Sequence, residues 1–405
     1  MKILHMADIH ARDKDIDEIR KCMEFIIETA DAEKPDIIII AGDTFDSQNV
    51  KLDSASAKYI FDAVTRMADI APVAVLIGTP SHDGMAAEVL RHINADHAVH
   101  VSTKPEQVYY HWGEVLNTTR PIGDPASHSP QAILSMIPAP TKQFFQGDGS
   151  ITESDGQIAQ AMSAIFSGFG IEAGRFSCPH ILVGHWNTTG AFVNETQVLT
   201  GVDIEVSKDQ MGLANPDLVC LGHIHKAQDM GSNVFYSGSI YRKDFGELDA
   251  KGFYIHEFND DGELTSKFIE TPTRKLVKAK RDFTADGIEG MDAVLAGLPL
   301  NGDAAGAIVR IEIQVWQDEA GKIDKDAVQQ YCMDHGAESA EIILIRLPRE
   351  NVRSTRLLSL PTLRAKIEEM AAIKAEPVPA GVPGKADLLE SMTPEALISQ
   401  LSGAQ

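Results

Sequence analysis

The fold is decided by the stretch Asp36-Ile37-Ile38-Ile39-Ile40-Ala41-Gly42-Asp43, an apolar run that ends on a glycine and a carboxylate. An unbroken apolar run of this kind is typical of a strand that is buried on both faces of a sheet. Similar runs lie at 2–7 and 72–77, and apolar residues at helical spacing fill the segments between them. Strands that alternate with helices pair in parallel through right-handed crossovers, so this part of the chain predicts an α/β fold.

The following segments continue the alternation with less regularity. Strands are predicted at 180–183, 218–221, 234–237 and 252–258. A helix is predicted at 157–169, and the turn Asn259-Asp260-Asp261-Gly262 predicts a hairpin with a strand at 264–270. Residues 117–150 are rich in Pro, Ser and Gly, and we interpret them as a long irregular insertion.

Changes in this pattern predict three domains. The first spans 1–272 and ends at Thr271-Pro272-Thr273. The second, 273–350, is a small α/β domain in which 307–315 alternates polar and apolar residues, as a half-buried strand does. The third, 351–405, is a tail of two helical stretches joined by a Pro- and Gly-rich, semi-stiff linker at 376–384. Its second helix is expected to start at Thr393-Pro394-Glu395.

Composition limits the function classes. The 405-residue chain has a formal net charge of −23, which argues against unaided binding to a polyanion, because phosphate contacts need local Lys and Arg. No segment approaches the roughly 20 apolar residues of a membrane span, and the N-terminus becomes charged too early for a signal peptide. The four cysteines form no C-x-x-C pair. We therefore expect a cytoplasmic protein without membrane contact, disulfides or a structural zinc ribbon.

Five short motifs carry residues that bind metals or move protons, and all of them follow predicted strands. They are Asp8-Ile9-His10, Gly42-Asp43, Ser81-His82-Asp83, Gly184-His185 and Gly222-His223-Ile224-His225. Each motif alone is weak evidence, because Gly-Asp after a strand is more often a turn and Gly-His more often a loop histidine. Five motifs in this order are hard to obtain by chance, and loops at strand ends can converge on one point. The histidines outside these motifs are interpreted as structural or solvent-facing.

Charge explains why these residue types belong together. Hydrolysis of a phosphoester develops negative charge on the attacking, equatorial and leaving oxygens, and two divalent cations about 3.5 to 4 Å apart can neutralise it. Two cations held at so short a distance need an anionic ligand that bridges them, and a strand-end carboxylate such as that of Asp43 can supply it. Imidazoles fill the other positions. Carboxylate and imidazole ligands without thiolate are compatible with manganese, iron or zinc.

Taken together, the motifs resemble those of the calcineurin-like metallophosphoesterase superfamily. Within it, the chain resembles the SbcD-type nuclease component of DNA double-strand-break repair complexes. Three features support that narrower resemblance. The first is the motif set Leu-Gly-His-Ile-His-Lys-Ala-Gln at 221–228, Tyr236-Ser237-Gly238-Ser239-Ile240 and Phe245-Gly246-Glu247. The others are the small domain from about Thr273 to Leu347, which resembles the DNA-capping domain, and the tail, which resembles the helix-loop-helix that docks on the ATPase coiled coil. The resemblance covers nearly the whole chain. It implies a four-layer α-β-β-α sandwich with a small α/β DNA-capping domain and a helical C-terminal tail.

The resemblance also implies roles for the motif residues and for the metal, which would be manganese. Four residues would hold the first metal, namely Asp8, His10, Asp43 and His225. Three would hold the second, namely Asp43, which bridges, with His185 and His223. His82 would lie over the scissile phosphate and stabilise or protonate the leaving oxygen, with Asp83 orienting it.

One segment departs from the family pattern. The family usually shows Gly-Asn-His-Asp or Gly-Asn-His-Glu, with the Asn carbonyl on the second metal. Here the segment is Gly78-Thr79-Pro80-Ser81-His82-Asp83, so Ser81 takes the Asn place in a loop that is two residues longer. A serine hydroxyl is a shorter and poorer ligand than an amide carbonyl. Our hypothesis is that the second metal binds more weakly, with Ser81, Thr79 or water completing its ligands.

Two further features have both a functional and a purely structural interpretation. A basic run follows the first domain boundary, consisting of Arg274, Lys275, Lys278, Lys280 and Arg281. It is either a solvated strand edge or a contact to the DNA backbone, which would add affinity without sequence choice. The apolar helical stripes of the tail either pack on their own domain or dock on a partner.

The leading hypothesis is a metal-dependent DNA exonuclease and endonuclease that processes DNA ends. The resemblance implies DNA as substrate, a coiled-coil SbcC-type ATPase as partner, and a homodimer. A phosphomonoesterase or cyclic-nucleotide phosphodiesterase on the same fold is the second hypothesis, because the metal ligands do not separate these activities. A third is a scaffold with weakened catalysis, for which the Ser81 change is slight support.

Overall fold

The chain forms two compact units. The computed structural model describes residues 1–111, 114–116, 130–140, 155–194, 197, 204–300, 304–349, 357, 359–374, 376–393 and 396. The first unit comprises Met1–Lys280, Leu298–Glu312 and Lys325–Ile343, and the second Arg281–Gly297, Ile313–Asp324 and Leu344–Gln405. The domain boundaries predicted at residues 272 and 350 stay predictions.

Most strands of the described chain lie in the first unit. In chain order they are β1 (Lys2–Met6), β2 (Ile37–Ala41), β3 (Val73–Leu76), β4 (Val99–Ser102), β5 (Glu106–His111), β6 (Glu114–Leu116), β7 (Ala132–Ile137), β8 (His180–His185), β9 (Asn187–Thr188), β10 (Glu205–Val206), β11 (Leu218–Gly222), β12 (Gln228–Asp229), β13 (Val234–Tyr236), β14 (Gly252–Phe258), β15 (Leu264–Glu270), β16 (Lys275–Asp282), β17 (Ala307–Trp316) and β18 (Ser339–Leu347).

The helices lie between these strands and in the tail. They are α1 (Ile16–Glu33), α2 (Ala55–Ala68), α3 (Met85–Val89), α4 (Asp155–Ala173), α5 (Lys208–Gly212), α6 (Met291–Ala296), α7 (Lys325–Asp334), α8 (Leu363–Lys374) and α9 (Val382–Ser391). Short 3-10 helices occupy Asp13–Asp15, Leu90–His92 and Ala320–Lys322. Among the residues that the structure describes, no helix is both long enough and apolar enough to span a membrane.

Two large sheets dominate the first unit. Six strands pair in the order β15-β14-β1-β2-β3-β4, in which β1 to β4 are parallel and β14 is antiparallel to both neighbours. Seven strands pair in the order β12-β13-β11-β8-β7-β5-β6, in which β7, β8, β11 and β13 are parallel. Strands β9 and β10 pair separately, and β16, β17 and β18 form a three-stranded sheet. The parallel strands predicted from the apolar runs are therefore present.

Three apolar clusters stack these sheets and helices into four layers. Between the two sheets, Ile39 of β2 and Val183 of β8 belong to one buried cluster. On the outer face of the six-stranded sheet, Ile38 packs in a cluster with Ile26 of α1 and with residues of α2. On the outer face of the seven-stranded sheet, Phe166 of α4 packs in a third cluster with residues of α5. Because a strand buried on both faces alternates between two such clusters, the predicted α-β-β-α sandwich is confirmed.

The predicted irregular insertion at 117–150 is wrong in part. Strand β7 occupies Ala132–Ile137, and every one of its residues is buried. Ser135 interrupts its apolar run, yet the Ser135 hydroxyl is buried 2.7 Å from Nε2 of His180, so the polar residue is satisfied inside the sheet. Because His180 belongs to the neighbouring strand β8 but lies 45 residues later in the chain, the local sequence does not reveal this partner. Residues 117–129 and 141–150 lie outside the described part of the chain.

The tail contains two helices whose apolar side chains are largely exposed. Nε of Arg364 in α8 lies 2.8 Å from Oδ1 of Asp387 in α9, which joins the pair. Met370, Leu388 and Leu389 are 45%, 48% and 50% exposed. Helix α9 begins at Val382, within the stretch predicted as linker, and the predicted helix start at 393–395 lies partly outside the described residues.

Candidate metal centre

The predicted motifs meet where strands of both large sheets end. Asp8 and Asp43 come just after β1 and β2, while His185 ends β8 and His223 follows β11. The Asp8 amide donates to the carbonyl oxygen of Gly42 at 3.0 Å, which ties the first two motifs together. The His223 amide in turn donates to Oδ1 of Asp8 at 3.0 Å. A main-chain hydrogen bond therefore joins two loops of the six-stranded sheet, and the Asp8 carboxylate binds them to the loop after β11 of the seven-stranded sheet.

Four of the motif residues adopt a left-handed backbone. They are Asp8 (φ 52°), His10 (φ 45°), Asp43 (φ 52°) and His223 (φ 91°). Positive φ is uncommon for residues with a Cβ, and such conformations cost on the order of 1 to 3 kcal/mol each. They persist only where the surrounding structure holds them, and they concentrate at functional sites.

The first group of ligand atoms comes from Asp8, His10 and His225. One ligand atom from each lies within 4.8 Å of those of the other two, and Asp8 and His10 are almost completely buried. Nε2 of His10 and Nε2 of His225 are 2.9 Å apart. Oδ2 of Asp43 lies 3.7 Å from Nε2 of His10. The four residues expected at the first metal therefore surround one point.

The second group comes from Asp43, His185 and His223, whose ligand atoms also lie within 4.8 Å of one another. Oδ2 of Asp43 is 3.2 Å from Nε2 of His185. The same carboxylate oxygen thus faces His10 of the first group and His185 of the second. The structure places Asp43 in the shared position that a bridging ligand must occupy.

Hydrogen bonds to the outer ring nitrogens orient the imidazoles. Nδ1 of His185 lies 2.8 Å from the carbonyl oxygen of Ala41, and Nδ1 of His225 lies 2.5 Å from Oε1 of Glu247. Each partner accepts an N–H from Nδ1 of the imidazole, so Nε2 of each ring is the nitrogen that faces the group. Metal-binding histidines almost always have such an outer partner.

Burial and mutual charge set the protonation of these groups. Burial raises the pKa of the Asp8 carboxyl and lowers the pKa of His223 to about 3. Burial also opposes the Asp43–His185 ion pair, but their charges and hydrogen bond outweigh it. The pKa of Asp43 is therefore well below its usual range, and that of His185 is raised to about 9. Buried carboxylates beside imidazoles fit a cation, so the residues present match a two-metal site of the carboxylate–imidazole type.

Thr79, rather than Ser81, reaches the second group. The Thr79 hydroxyl lies 3.3 Å from Oδ2 of Asp43 and 3.3 Å from Nε2 of His185, and its amide donates to Oδ1 of Asp43 at 2.6 Å. Ser81 is exposed, and its carbonyl accepts the amide of Gln48 at 2.9 Å. The longer loop therefore brings a residue two positions earlier to the place where the family pattern expects an asparagine.

His82 lies beside the first group. Its ring is 4.6 Å from that of His10, centroid to centroid, and its Nδ1 lies 2.9 Å from the carbonyl oxygen of Asp46. The buried Asp83 carboxylate instead accepts the amides of Phe45 and Gly78, at 3.0 and 2.9 Å. The His82 ring thus contacts the Asp46 carbonyl, while Asp83 joins the loops after β2 and β3, and the orienting role expected of Asp83 stays a prediction.

The five residues of the basic run do not form one exposed basic surface. Arg274 is bound internally, with its guanidinium donating to Asp15 at 3.0 Å and to the carbonyl oxygens of Arg242 and Lys243 at 2.9 and 2.8 Å. Arg281 belongs to the second unit, where it pairs with Asp286 at 3.2 Å. The other three residues, Lys275, Lys278 and Lys280, are exposed on β16.

Outside the motifs, His5 and His256 form a buried chain between the sheets. Nδ1 of His5 is 3.3 Å from Nε2 of His256, Nε2 of His5 is 3.2 Å from the carbonyl oxygen of Leu221, and Nδ1 of His256 is 2.7 Å from the Ser266 hydroxyl. The Cys220 thiol lies near this pair. Each ring nitrogen has a hydrogen-bond partner, which agrees with the structural role predicted for these histidines.

Two contacts at the centre were missed by the sequence interpretation: the Asp46 carbonyl beside His82 and the Glu247 carboxylate beside His225. A main-chain carbonyl leaves no signal in a sequence. Glu247 lies in the Phe245-Gly246-Glu247 motif, but its distance of 22 residues from His225 conceals the contact.

Gly42→Ala is expected to disturb the second group. Gly42 has φ +93°, and a Cβ there would overlap the ring of His185, whereas Gly190 has φ +85° with open space around it. Both changes to alanine incur backbone strain on the order of 1 kcal/mol. Only Gly42→Ala should also weaken Mn²⁺ uptake, measured by calorimetric titration of metal-stripped protein. Equal effects of Gly42→Ala and Gly190→Ala on metal uptake would contradict this.

Thr79→Val is expected to weaken the second metal site and Ser81→Ala to leave it unchanged. Valine keeps the shape of threonine but removes a hydroxyl worth roughly 0.5 to 1.5 kcal/mol, which corresponds to a loss of affinity of about 2- to 13-fold. Titration of metal-stripped protein with Mn²⁺ measures both variants. A weaker site in Ser81→Ala and an intact one in Thr79→Val would assign the position to Ser81.

Residues 1–124, which include the first three motifs, match the family model described as Calcineurin-like phosphoesterase. "DNA double-strand break repair protein Mre11" of Aeropyrum pernix is 38% identical over 88 residues, which cover 20% of this chain and 21% of that protein. The SbcD component of nuclease SbcCD from Staphylococcus saprophyticus is 25% identical over 285 residues, which cover 68% of this chain and 70% of that protein.

Among solved structures, "GAP50 the anchor in the inner membrane complex of Plasmodium" aligns with a TM-score of 0.43 and 14% identity, over 67% of this chain and 85% of that one. The match to the Mre11 relative spans only about a fifth of that protein's length. The family match, the four-layer fold and the paired Asp and His groups agree with one another: the chain contains a calcineurin-like phosphoesterase domain and has relatives of low identity named Mre11 and SbcD.

Proposed function

We propose that the chain is a two-metal DNA nuclease with exonuclease and endonuclease activity in DNA end processing. The observation that carries this proposal is the position of Asp43, whose Oδ2 faces His10 on one side and His185 on the other at 3.7 and 3.2 Å. His82 lies at the edge of the same centre. A carboxylate shared between two ligand groups suits the pair of cations that can catalyse phosphoester hydrolysis, and a histidine beside it can supply the proton.

In this proposal the chain's residues divide the work of hydrolysis. Asp8, His10 and His225 would hold one cation with Asp43, and His185 and His223 would complete a second. When bound, two cations neutralise the charge that develops on the phosphate and its attacking and leaving oxygens. The donor set is compatible with manganese, which we propose as the metal.

His82 would act on the leaving oxygen. Its Nδ1 lies 2.9 Å from the Asp46 carbonyl, which accepts an N–H and fixes the ring. Nε2 is then the atom that can meet the substrate and donate a proton to the departing oxygen. His82 is half-buried, so part of the residue is open to solvent.

DNA is the proposed substrate because one relative is named as a DNA double-strand break repair protein and another as a nuclease. The net charge of −23 requires that any contact to DNA be local. Lys275, Lys278 and Lys280 are exposed on β16, and we propose them as backbone contacts. The predicted capping domain at 273–350 would contain them.

The tail would dock on a coiled-coil ATPase of the SbcC type. Helices α8 and α9 expose apolar residues, among them Met370, Leu388 and Leu389, as a partner-binding helix pair does. We further propose a homodimer in the cytoplasm, as the resemblance to SbcD-type nucleases implies. A phosphomonoesterase or cyclic-nucleotide phosphodiesterase has the same metal ligands, so substrate choice must be measured.

Purified protein with Mn²⁺ is expected to degrade end-labelled duplex DNA and a small chromogenic phosphodiester. His82→Ala should lower the rate on both by about 100- to 10,000-fold, because a general acid contributes that much, while Mn²⁺ uptake stays unchanged. Hydrolysis of the chromogenic ester without cleavage of DNA would favour a small-substrate phosphodiesterase. No hydrolysis of either would favour a scaffold.

The triple variant Lys275→Gln/Lys278→Gln/Lys280→Gln is expected to flatten the salt dependence of DNA binding. Each lost phosphate contact reduces the slope of log K against log salt by roughly 0.9. Fluorescence anisotropy with a labelled duplex at several salt concentrations measures this slope. The matched control Lys34→Gln/Lys51→Gln/Lys58→Gln removes three exposed lysines elsewhere. An equal slope for both triple variants would dismiss the β16 lysines as contacts.

A further inference from the structure

We infer that Glu247 and Lys251 form a buried pair that positions His225 for metal binding at the first group. This inference rests on the proposed two-metal function, since it concerns one ligand of that centre. Glu247 and Lys251 are not among the proposed metal ligands themselves, and in this inference they support only the first group.

The pair closes a ring of contacts around His225. Nδ1 of the His225 imidazole lies 2.5 Å from Oε1 of Glu247. Nζ of Lys251 lies 3.3 Å from Oε2 of the same carboxylate. Nζ of Lys251 also donates to the carbonyl oxygen of His225 at 2.8 Å. The side chain and the main chain of His225 are thus held by two residues that also hold each other.

The burial of this pair needs an explanation. Lys251 is 1% exposed and Glu247 is 2% exposed. Lysine and glutamate are almost never fully buried unless they are paired, and withdrawing each ion from water costs several kcal/mol. Asp249 adds a second carboxylate, with Oδ2 3.3 Å from Nζ of Lys251. Charges placed so deeply are weak evidence for stability, which favours a role in fixing one arrangement of the neighbouring ligand.

The chemical consequence lies in the tautomer of His225. A carboxylate accepts hydrogen bonds, so Nδ1 of His225 carries the proton and donates it toward Glu247. Nε2 then keeps its lone pair, and this is the atom that lies 2.9 Å from Nε2 of His10 in the first group. The Lys243 amide donates to Oε2 of Glu247 at 3.1 Å and further fixes the carboxylate.

In the second group, a main-chain carbonyl oxygen rather than a buried ion pair orients the histidine. His185 donates from Nδ1 to the main-chain carbonyl of Ala41 at 2.8 Å and does not rely on a charged side chain for that contact. The Glu247–Lys251 pair contacts neither His185 nor Asp43 in the hydrogen bonds above. Disrupting the pair should therefore weaken the first group and spare the second.

Calorimetric titration of metal-stripped full-length protein with Mn²⁺ tests this separation. We expect two binding events in the unaltered protein. Lys251→Met and Glu247→Gln should each weaken one event by about 10- to 100-fold, the usual effect of losing an outer partner, and leave the other unchanged. Lys226→Met is the matched control, because Lys226 follows His225 but its ammonium lies over the Phe192 ring, 5.5 Å from the centroid.

The double variant Glu247→Gln/Lys251→Met separates positioning from a general loss of packing. If Glu247 and Lys251 support His225 as one unit, the double variant should bind Mn²⁺ no more weakly than the weaker-binding single variant. Long-range ¹H–¹⁵N correlation spectra of metal-free protein should show His225 with its proton on Nδ1, and Glu247→Ala should lose that signature. Circular dichroism and melting temperature check that each variant is folded.

Three outcomes would overturn the inference: wild-type affinity at both sites in the single variants, equal weakening of both sites, or an unchanged His225 tautomer in Glu247→Ala. Failure of the proposed function looks different. Loss of DNA cleavage with both Mn²⁺ binding events intact would reject the nuclease and leave this inference standing. If the unaltered protein takes up no Mn²⁺, the tautomer of His225 still decides whether Glu247 orients it.

Discussion

The centre depends on one buried carboxylate that faces two sets of imidazoles. Asp43 is 2% exposed, and its Oδ2 lies between Nε2 of His10 and Nε2 of His185. An isolated carboxylate at that depth would be costly, and the ion pair with His185 offsets the cost in this structure. A pair of cations would offset it further, because it would supply positive charge on both sides of the same oxygen.

The close approach of the two sheets explains the glycines that precede the ligands. A Cβ at Gly42 would overlap His185, and a Cβ at Gly222 would lie 2.8 Å from Nδ1 of the same ring. The Gly-Asp and Gly-His motifs thus have a steric cause, since loops from separate sheets can share a carboxylate only where their backbones nearly touch. Asp8, His10 and His223 in the same region have a left-handed φ, which persists only where the surrounding structure holds it.

A feature of the fold or of the centre could be predicted from the sequence only where it depends on residues that lie close together in the chain. The buried strands β1, β2, β8 and β11 appear as apolar runs, and the Asp and His residues of the centre follow them, so the α/β fold and the meeting of these residues could be predicted. The choice between Thr79 and Ser81 as the hydroxyl near His185 could not, because it depends on the path of the longer loop from Gly78 to Asp83. Glu247 could not be given a role, because its partner His225 lies 22 residues earlier.

The acidic character of the chain and the proposed polyanionic substrate are reconciled by the local arrangement of charge. Near His82, the Asp46 carboxylate is held by Lys243 at 2.8 Å and by Arg12 at 3.4 Å. Arg12 also binds Asp15 at 2.5 Å, and Asp15 binds Arg274 at 3.0 Å. Three cations therefore lie beside these two carboxylates, and a third carboxylate, that of Glu18, accepts the Arg274 amide. Because screening limits charge effects to about 8 Å at physiological ionic strength, a phosphate arriving at His82 would respond to these neighbours more than to the net charge of −23.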